Sequence, residues 1–139
     1  MKRLEWSERY RVNIPQFDAQ HRRILALIDA FRNCVYSEGG RLVEPSLRAL
    51  AWYAEQHLLR EELVLRIRRY PYYRQHKAEH DAYRDKLASL TSQLGRRDLD
   101  IRIANFLTEW WHSHILISDR DYAHFFQGEC ATGPKSDTS

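Results

Sequence analysis

No stretch of this 139-residue chain reaches some 18 uncharged apolar residues, so no membrane-spanning helix is expected. The opening MKRLEWSERY lacks the apolar run of a secretory signal. Cysteine is scarce. Cys34 falls mid-helix and Cys130 in a polar tail, which excludes a disulfide framework and leaves two free thiols. Charge is not gathered into blocks, and the net +3 comes mostly from scattered arginines, which says little about partners. The expectation is one soluble, cytoplasmic domain, long enough to bury a real core.

What the chain does contain is helical patterning punctuated by proline and glycine. Residues 1–16, with Trp6, Tyr10, Val12 and Ile14, read as an N-terminal arm packed across the rest. A first helix is expected from an Asp18 cap to about Tyr36, before Gly39-Gly40, with Phe17, Ile24, Leu25, Ile28 and Phe31 inward. A second begins around Glu44-Pro45 and runs down Leu47, Leu50 and Ala54 to His57, Glu61 and Val64. A third follows Pro71, with His76, His80, Tyr83, Leu87, Leu90 and Leu94 at alternating four and three spacing, closed by Gly95. Asp98 suits the cap of a fourth, whose inner face reads Ile103, Leu107, Trp110, His114 and Ile117. The expected fold is all-α, an antiparallel up-down-up-down four-helix bundle over residues 17–127, with 128–139 as a flexible tail.

The histidines are the informative residues. His57-x-x-x-Glu61 and His76-x-x-x-His80 each place two donors on one helix face, and His21 and His114 lie on the apolar stripes of their own helices. A single histidine on such a stripe is usually a hydrogen-bonded core residue. Five of them with a glutamate in one small bundle differ, because burying them without partners costs several kcal/mol. A shared metal centre satisfies them together. Thiolates are absent from the stripes, and five imidazoles exceed what one tetrahedral zinc requires. Two metal ions, with iron favoured, sharing Glu61 and a second carboxylate fit the donor set better. Periodicity leaves that second carboxylate open. Asp119 lies about 140° around a regular helix from His114, whereas Asp121 is a closer match to its face. His112, about 200° from His114, reads as a solvated surface residue, and His124, past the expected helix end, has no assigned role.

Four segments, FDAQH (17–21), HLLREE (57–62), HKAEH (76–80) after Tyr70-Pro71, and WWHSHILISD (110–119), together resemble the hemerythrins, and among them the single-domain bacterial form. The resemblance spans roughly residues 6–126. It implies His76, His80 and His114 on one iron and His21 and His57 on the other. Glu61, Asp119 and an oxo or hydroxo group would bridge the two. The family pattern His-Ile-x-x-x-Asp matches residues 114–119, which selects His114 over His112 and Asp119 over Asp121.

The resemblance further implies reversible dioxygen binding at the position left open on the two-histidine iron, in an apolar pocket walled by Ile24, Leu25, Trp111 and Ile115. Such a protein stores, delivers or senses oxygen and is not an enzyme. Trp111 stands where leucine is frequent in the family, so it either narrows the pocket or simply packs. Leu58 and Leu65 replace a common phenylalanine and methionine with little change in apolar volume. Two alternatives remain: a di-iron redox enzyme acting on peroxide or nitric oxide, and an oxygen or redox sensor acting on a protein partner in trans. The chain is expected to be a monomer. Nucleic-acid binding through Arg66, Arg68 and Arg69 is not expected, because arginines near a helix end are favoured there by the helix dipole.

Overall fold

A computed structural model describes residues 4–37, 42–93 and 96–128, and all the regular structure among them is helical. Three long helices, α1 (Pro15–Tyr36), α2 (Val43–Ile67) and α3 (Tyr73–Thr91), precede a compound fourth. That fourth rod starts as α4 (Arg97–Ser113), widens into a π-helical segment (His114–Asp119) and finishes as α5 (Arg120–Phe126). α1 packs on α2 and α4, and α3 packs on the same two helices. Those neighbours define an all-α four-helix bundle of up-down-up-down order. Among the described residues no helix is long and apolar enough to cross a membrane.

Local chemistry explains the boundaries. α1 begins at Pro15, three residues before the expected cap, because proline's fixed φ and missing N–H suit the first helical position. Asp18 therefore sits inside the first turn, where its carboxylate accepts the Val12 N–H at 2.8 Å and ties the arm to the helix. α4 begins at Arg97, leaving Asp98 and Asp100 in the first turn, where the helix dipole favours negative charge. α2 stops with Arg69 at φ 58°, its N–H bonded to Arg66 O at 3.1 Å, and the Tyr70 N–H bonded to Leu65 O at 2.9 Å. This is a Schellman cap with arginine in the left-handed position usually held by glycine. Pro71 then prevents continuation.

The expected inward residues of α1 and α2 are buried, except Val64, which is half-buried, and two apolar clusters result. The larger holds Ile24, Leu25, Phe31, Leu50, Leu107 and Trp111; the smaller holds Val12, Phe17, Leu65, Tyr70, Tyr122 and Ala123. Each fully buried large side chain contributes about 1.5–3 kcal/mol of transfer free energy. The arm carries a short 3-10 turn at Glu8–Tyr10, and Tyr10 and Val12 are buried against the bundle.

Three surface expectations are corrected. His112 is half-buried, with Nδ1 2.8 Å from the Tyr10 hydroxyl, because the arm covers the face that would otherwise meet solvent. Ile117, expected inward, is 47% exposed, since it lies inside the π segment, where the helical phase is shifted. His124 lies within α5 and not beyond the helix end, though it is exposed. Gly39-Gly40, Leu94, Gly95, Cys130 and the expected tail from 129 onward lie outside the described residues.

Candidate metal centre

Between the two apolar clusters the bundle brings together His21 from α1, His57 and Glu61 from α2, His76 and His80 from α3, and His114 and Asp119 from the π segment. All seven are buried, and His21, Glu61, His80 and Asp119 are 0% exposed. Phe17, Tyr70 and Tyr122 flank the histidines on the side of the smaller cluster. Trp110 and Trp111 flank them on the other. Asp121, the closer match by regular periodicity, points elsewhere and accepts the Tyr70 hydroxyl. The π segment is the reason. Its i→i+5 hydrogen bonding spreads each turn over more residues and draws residues five apart toward one side. His114 Nε2 and Asp119 Oδ1 consequently lie 3.1 Å apart.

The two carboxylates divide the histidines. Glu61 Oε1 lies 2.6 Å from His76 Nε2, 3.1 Å from His80 Nε2 and 3.8 Å from His114 Nε2. Its other oxygen lies 3.1 Å from His57 Nε2 and 3.9 Å from His21 Nε2. Asp119 repeats the division, with Oδ1 near His76 and His114 and Oδ2 3.2 Å from His21 Nε2. Two donor groups result, one of Glu61, His76, His80 and His114 and the other of His21, His57, Glu61 and Asp119. Within each, the donor atoms lie within 4.8 Å of one another.

The protons indicate what belongs between them. His57 Nδ1–H donates to Gln20 Oε1 at 2.5 Å, and His80 Nδ1–H donates to Glu62 Oε2 at 2.7 Å. A neutral imidazole bonded in that way has only a lone pair at Nε2. Burial, reinforced by His21, lowers the His57 pKa, so this ring is neutral. Its lone pair then faces a Glu61 carboxylate oxygen at 3.1 Å, a repulsive arrangement unless a cation lies between. Both Asp119 oxygens are buried without a hydrogen bond, despite imidazoles at 3.1–3.2 Å. These residues fit a metal site.

Electrostatics agree. Burial lowers the basicity of His76 and His114, but Asp119 and Glu61 overcome it and push them up to about 9 and about 10. Glu61 is held well below the carboxylate range despite burial, by the imidazoles of His114, His57 and His76 around it. Asp119 is likewise depressed, with His114 as its main favourable partner against burial and the Glu61 charge. Without a metal, protons on histidine supply the positive charge that two buried carboxylates require.

Three neighbours of the site, Gln20, Glu62 and Tyr122, escape a face-by-face reading of the sequence. Gln20 and Glu62 adjoin His21 and Glu61 in the chain, about 100° around the helix, yet each serves a histidine on another helix. Tyr122 donates its hydroxyl to Glu61 Oε2 at 3.0 Å. Trp110 stacks on His114 with centroids 4.3 Å apart and 14° between planes. Trp110 was expected on the inner face, Gln20 and Glu62 lie within the quoted segments, and nothing in spacing marked Tyr122. Ile24, Leu25, Trp111 and Ile115 are buried in the larger apolar cluster, with Trp111 6.0 Å from the His57 ring.

Fold and site together define a helical-bundle protein with a buried, histidine-rich cation site. The chain belongs to the hemerythrin family: the description Hemerythrin HHE cation binding domain matches residues 12–125. Proteins named bacteriohemerythrin are similar to it. That of Stenotrophomonas maltophilia is 26% identical over 125 residues, covering 88% of this chain and 81% of the relative. That of Clostridium acetobutylicum is 27% identical over 124 residues, covering 84% and 96%. The Pseudomonas paraeruginosa protein is 23% identical over 124 residues, covering 88% and 80%.

Proposed function

We propose that this chain binds dioxygen reversibly at a non-haem di-iron centre. The observation that carries the reading is the partition of Glu61, whose two oxygens face three histidines on one side and two on the other. His76, His80 and His114 would hold one iron, His21 and His57 the other, with Glu61 and Asp119 spanning both. Five imidazoles and two carboxylates exceed what one tetrahedral zinc requires, and the two donor groups share Glu61, which supports two ions.

Two irons would supply reversible one-electron changes and, on the two-histidine side, one position fewer filled by protein. The chain's own residues do the rest. Gln20 and Glu62 fix the tautomers of His57 and His80 so that both present Nε2 inward. Tyr122 orients Glu61. Ile24, Leu25, Trp111 and Ile115 would form the apolar wall that excludes water from the open side. Storage, delivery and sensing all begin from this binding event.

The deciding experiment is the visible absorption spectrum of anaerobically reduced protein before and after air, with iron counted per chain. Two irons and a band that appears with air and vanishes on deoxygenation are expected. A lone zinc, or no oxygen-dependent band, ends the reading.

One observation favours the alternative of a di-iron redox enzyme: the Tyr122 hydroxyl beside Glu61 is a protic group at the site. Burial, followed by the charges of Asp119 and Glu61, raises its pKa well above the ordinary phenol value. Its proton is committed to Glu61, which favours binding over turnover. Steady-state consumption of peroxide or nitric oxide, abolished by Tyr122→Phe, would reverse that preference.

A further inference from the structure

The two donor groups are served unequally from outside. His57 donates its Nδ1–H to a neutral amide, Gln20, whereas His80 donates to a carboxylate, Glu62. Glu62 is buried, and Arg84 Nη2 lies 2.8 Å from the same oxygen that receives the His80 proton. Arg84 is itself held by Glu55 at 2.9 Å and by Asp81 at 2.9 Å, and Asp81 pairs with Lys77 at 2.9 Å. A chain of charges thus runs from a buried imidazole of the three-histidine group to the half-exposed edge between α2 and α3.

We infer that Glu62 and Arg84 form an opposed pair of positioning residues that sets the electron-donating strength of His80 and thereby the redox potential of the three-histidine side. The inference rests on the di-iron reading above. A carboxylate that accepts the far N–H of a ligating imidazole increases the ring's basicity and fixes its orientation. A more basic ligand stabilises ferric over ferrous iron and lowers the potential. The Arg84 guanidinium, ion-paired with that carboxylate at 2.8 Å, withdraws part of its charge and raises the potential again. Glu62 and Arg84 must therefore act with opposite signs. Gln20 carries no charge, so the two-histidine side lacks this control.

The opposite signs separate tuning from mere packing, since a structural role would move both variants the same way. The test uses the full chain loaded with iron(II) under anaerobic conditions. The readouts are midpoint potential by redox titration and iron affinity by chelator competition, with circular dichroism as a check on folding. Glu62→Gln keeps the shape and an acceptor but removes the charge, and it is expected to raise one midpoint. Arg84→Met is expected to lower it, and Arg84→Lys to return it toward the wild-type value. A tenfold change in the ferric-to-ferrous preference reads as about 59 mV. Glu62→Ala, which also removes the acceptor, is expected to weaken iron binding about 10–100-fold. Unmoved potentials, or shifts of the same sign in Glu62→Gln and Arg84→Met, overturn the inference. If Arg84→Met does not fold, Arg84→Gln takes its place in the comparison of signs. Failure of the carrier reading is distinct. Wild-type protein that holds two irons but shows no reversible oxygen band loses that reading and keeps the opposed shifts. A wild type that takes up no iron ends both.

Discussion

His114 and Asp119 stand five residues apart in the chain, yet Nε2 of one lies 3.1 Å from Oδ1 of the other. The π segment that joins them makes this contact, and it turns Asp121 to a different partner, Tyr70. The two aspartates should therefore respond differently to substitution. Asp119→Asn is expected to abolish binding of at least one metal ion. Asp121→Asn should retain metal and cost about 1–3 kcal/mol, the range for weakening a buried hydrogen bond to a charged group. Metal analysis beside urea unfolding of both variants checks the pair.

Trp111 is fully buried, 6.0 Å from the His57 ring, with Nε1 donating to the Tyr83 hydroxyl at 3.3 Å. Replacing it with leucine removes much of an indole from a packed core. A stability loss of about 2–3 kcal/mol is expected, a little below the usual cost of truncating a buried tryptophan to alanine. The space opened beside His57 should also quicken dioxygen association and autoxidation. Stopped-flow mixing reads both, and unchanged rates would leave Trp111 a packing residue only.

The pH dependence of the metal-free protein follows from its histidines. His76 and His114 are raised from 6.5 to about 9 and about 10. Stabilisation from a raised imidazole is complete below its unfolded value and disappears as pH climbs through the folded one. Metal-free stability is thus expected to fall between about pH 6.5 and 10. Glu61 and Asp119 are depressed, so their contribution is present above the ordinary carboxylate range and fades in strong acid. Bound metal displaces the histidine protons, and the alkaline decline should vanish with it. Chemical denaturation across pH, with and without metal, measures the difference.

Metal removal alone should destabilise. A ligand at a hundred times its dissociation constant adds about 2.7 kcal/mol to a fold that binds it only when native. A chelator is expected to lower the thermal midpoint by several degrees, and an excess of metal to restore it. A midpoint indifferent to chelation would mean that the seven donors hold nothing.

Arg69 at φ 58° pays the steric penalty of a left-handed residue, about 1–2 kcal/mol. Arg69→Gly removes that strain but gives the unfolded chain more freedom. A net gain of about 0.5–1 kcal/mol in unfolding free energy is expected, with metal content unchanged.

Much of the site was legible because a regular helix repeats its faces. His57 with Glu61 and His76 with His80 are four apart, and the structure points each pair at a common centre. His21 and His114 were marked by the apolar residues around them. Asp119 was not, since a π turn breaks the period on which the reading depended, and only resemblance to a known motif singled it out. Gln20, Glu62 and Tyr122 act across helices. No spacing within one helix encodes which side chain of a neighbour will meet it.

By itself the sequence determined the helices, their inward stripes and the donor types, because these follow from residue chemistry repeated along one axis. Tertiary structure decided the rest: the phase shift that exposes Ile117, the arm that covers His112, and the division of Glu61 between two histidine groups. Each depends on how separate rods are set against one another, and that is fixed by packing and the satisfaction of buried charge.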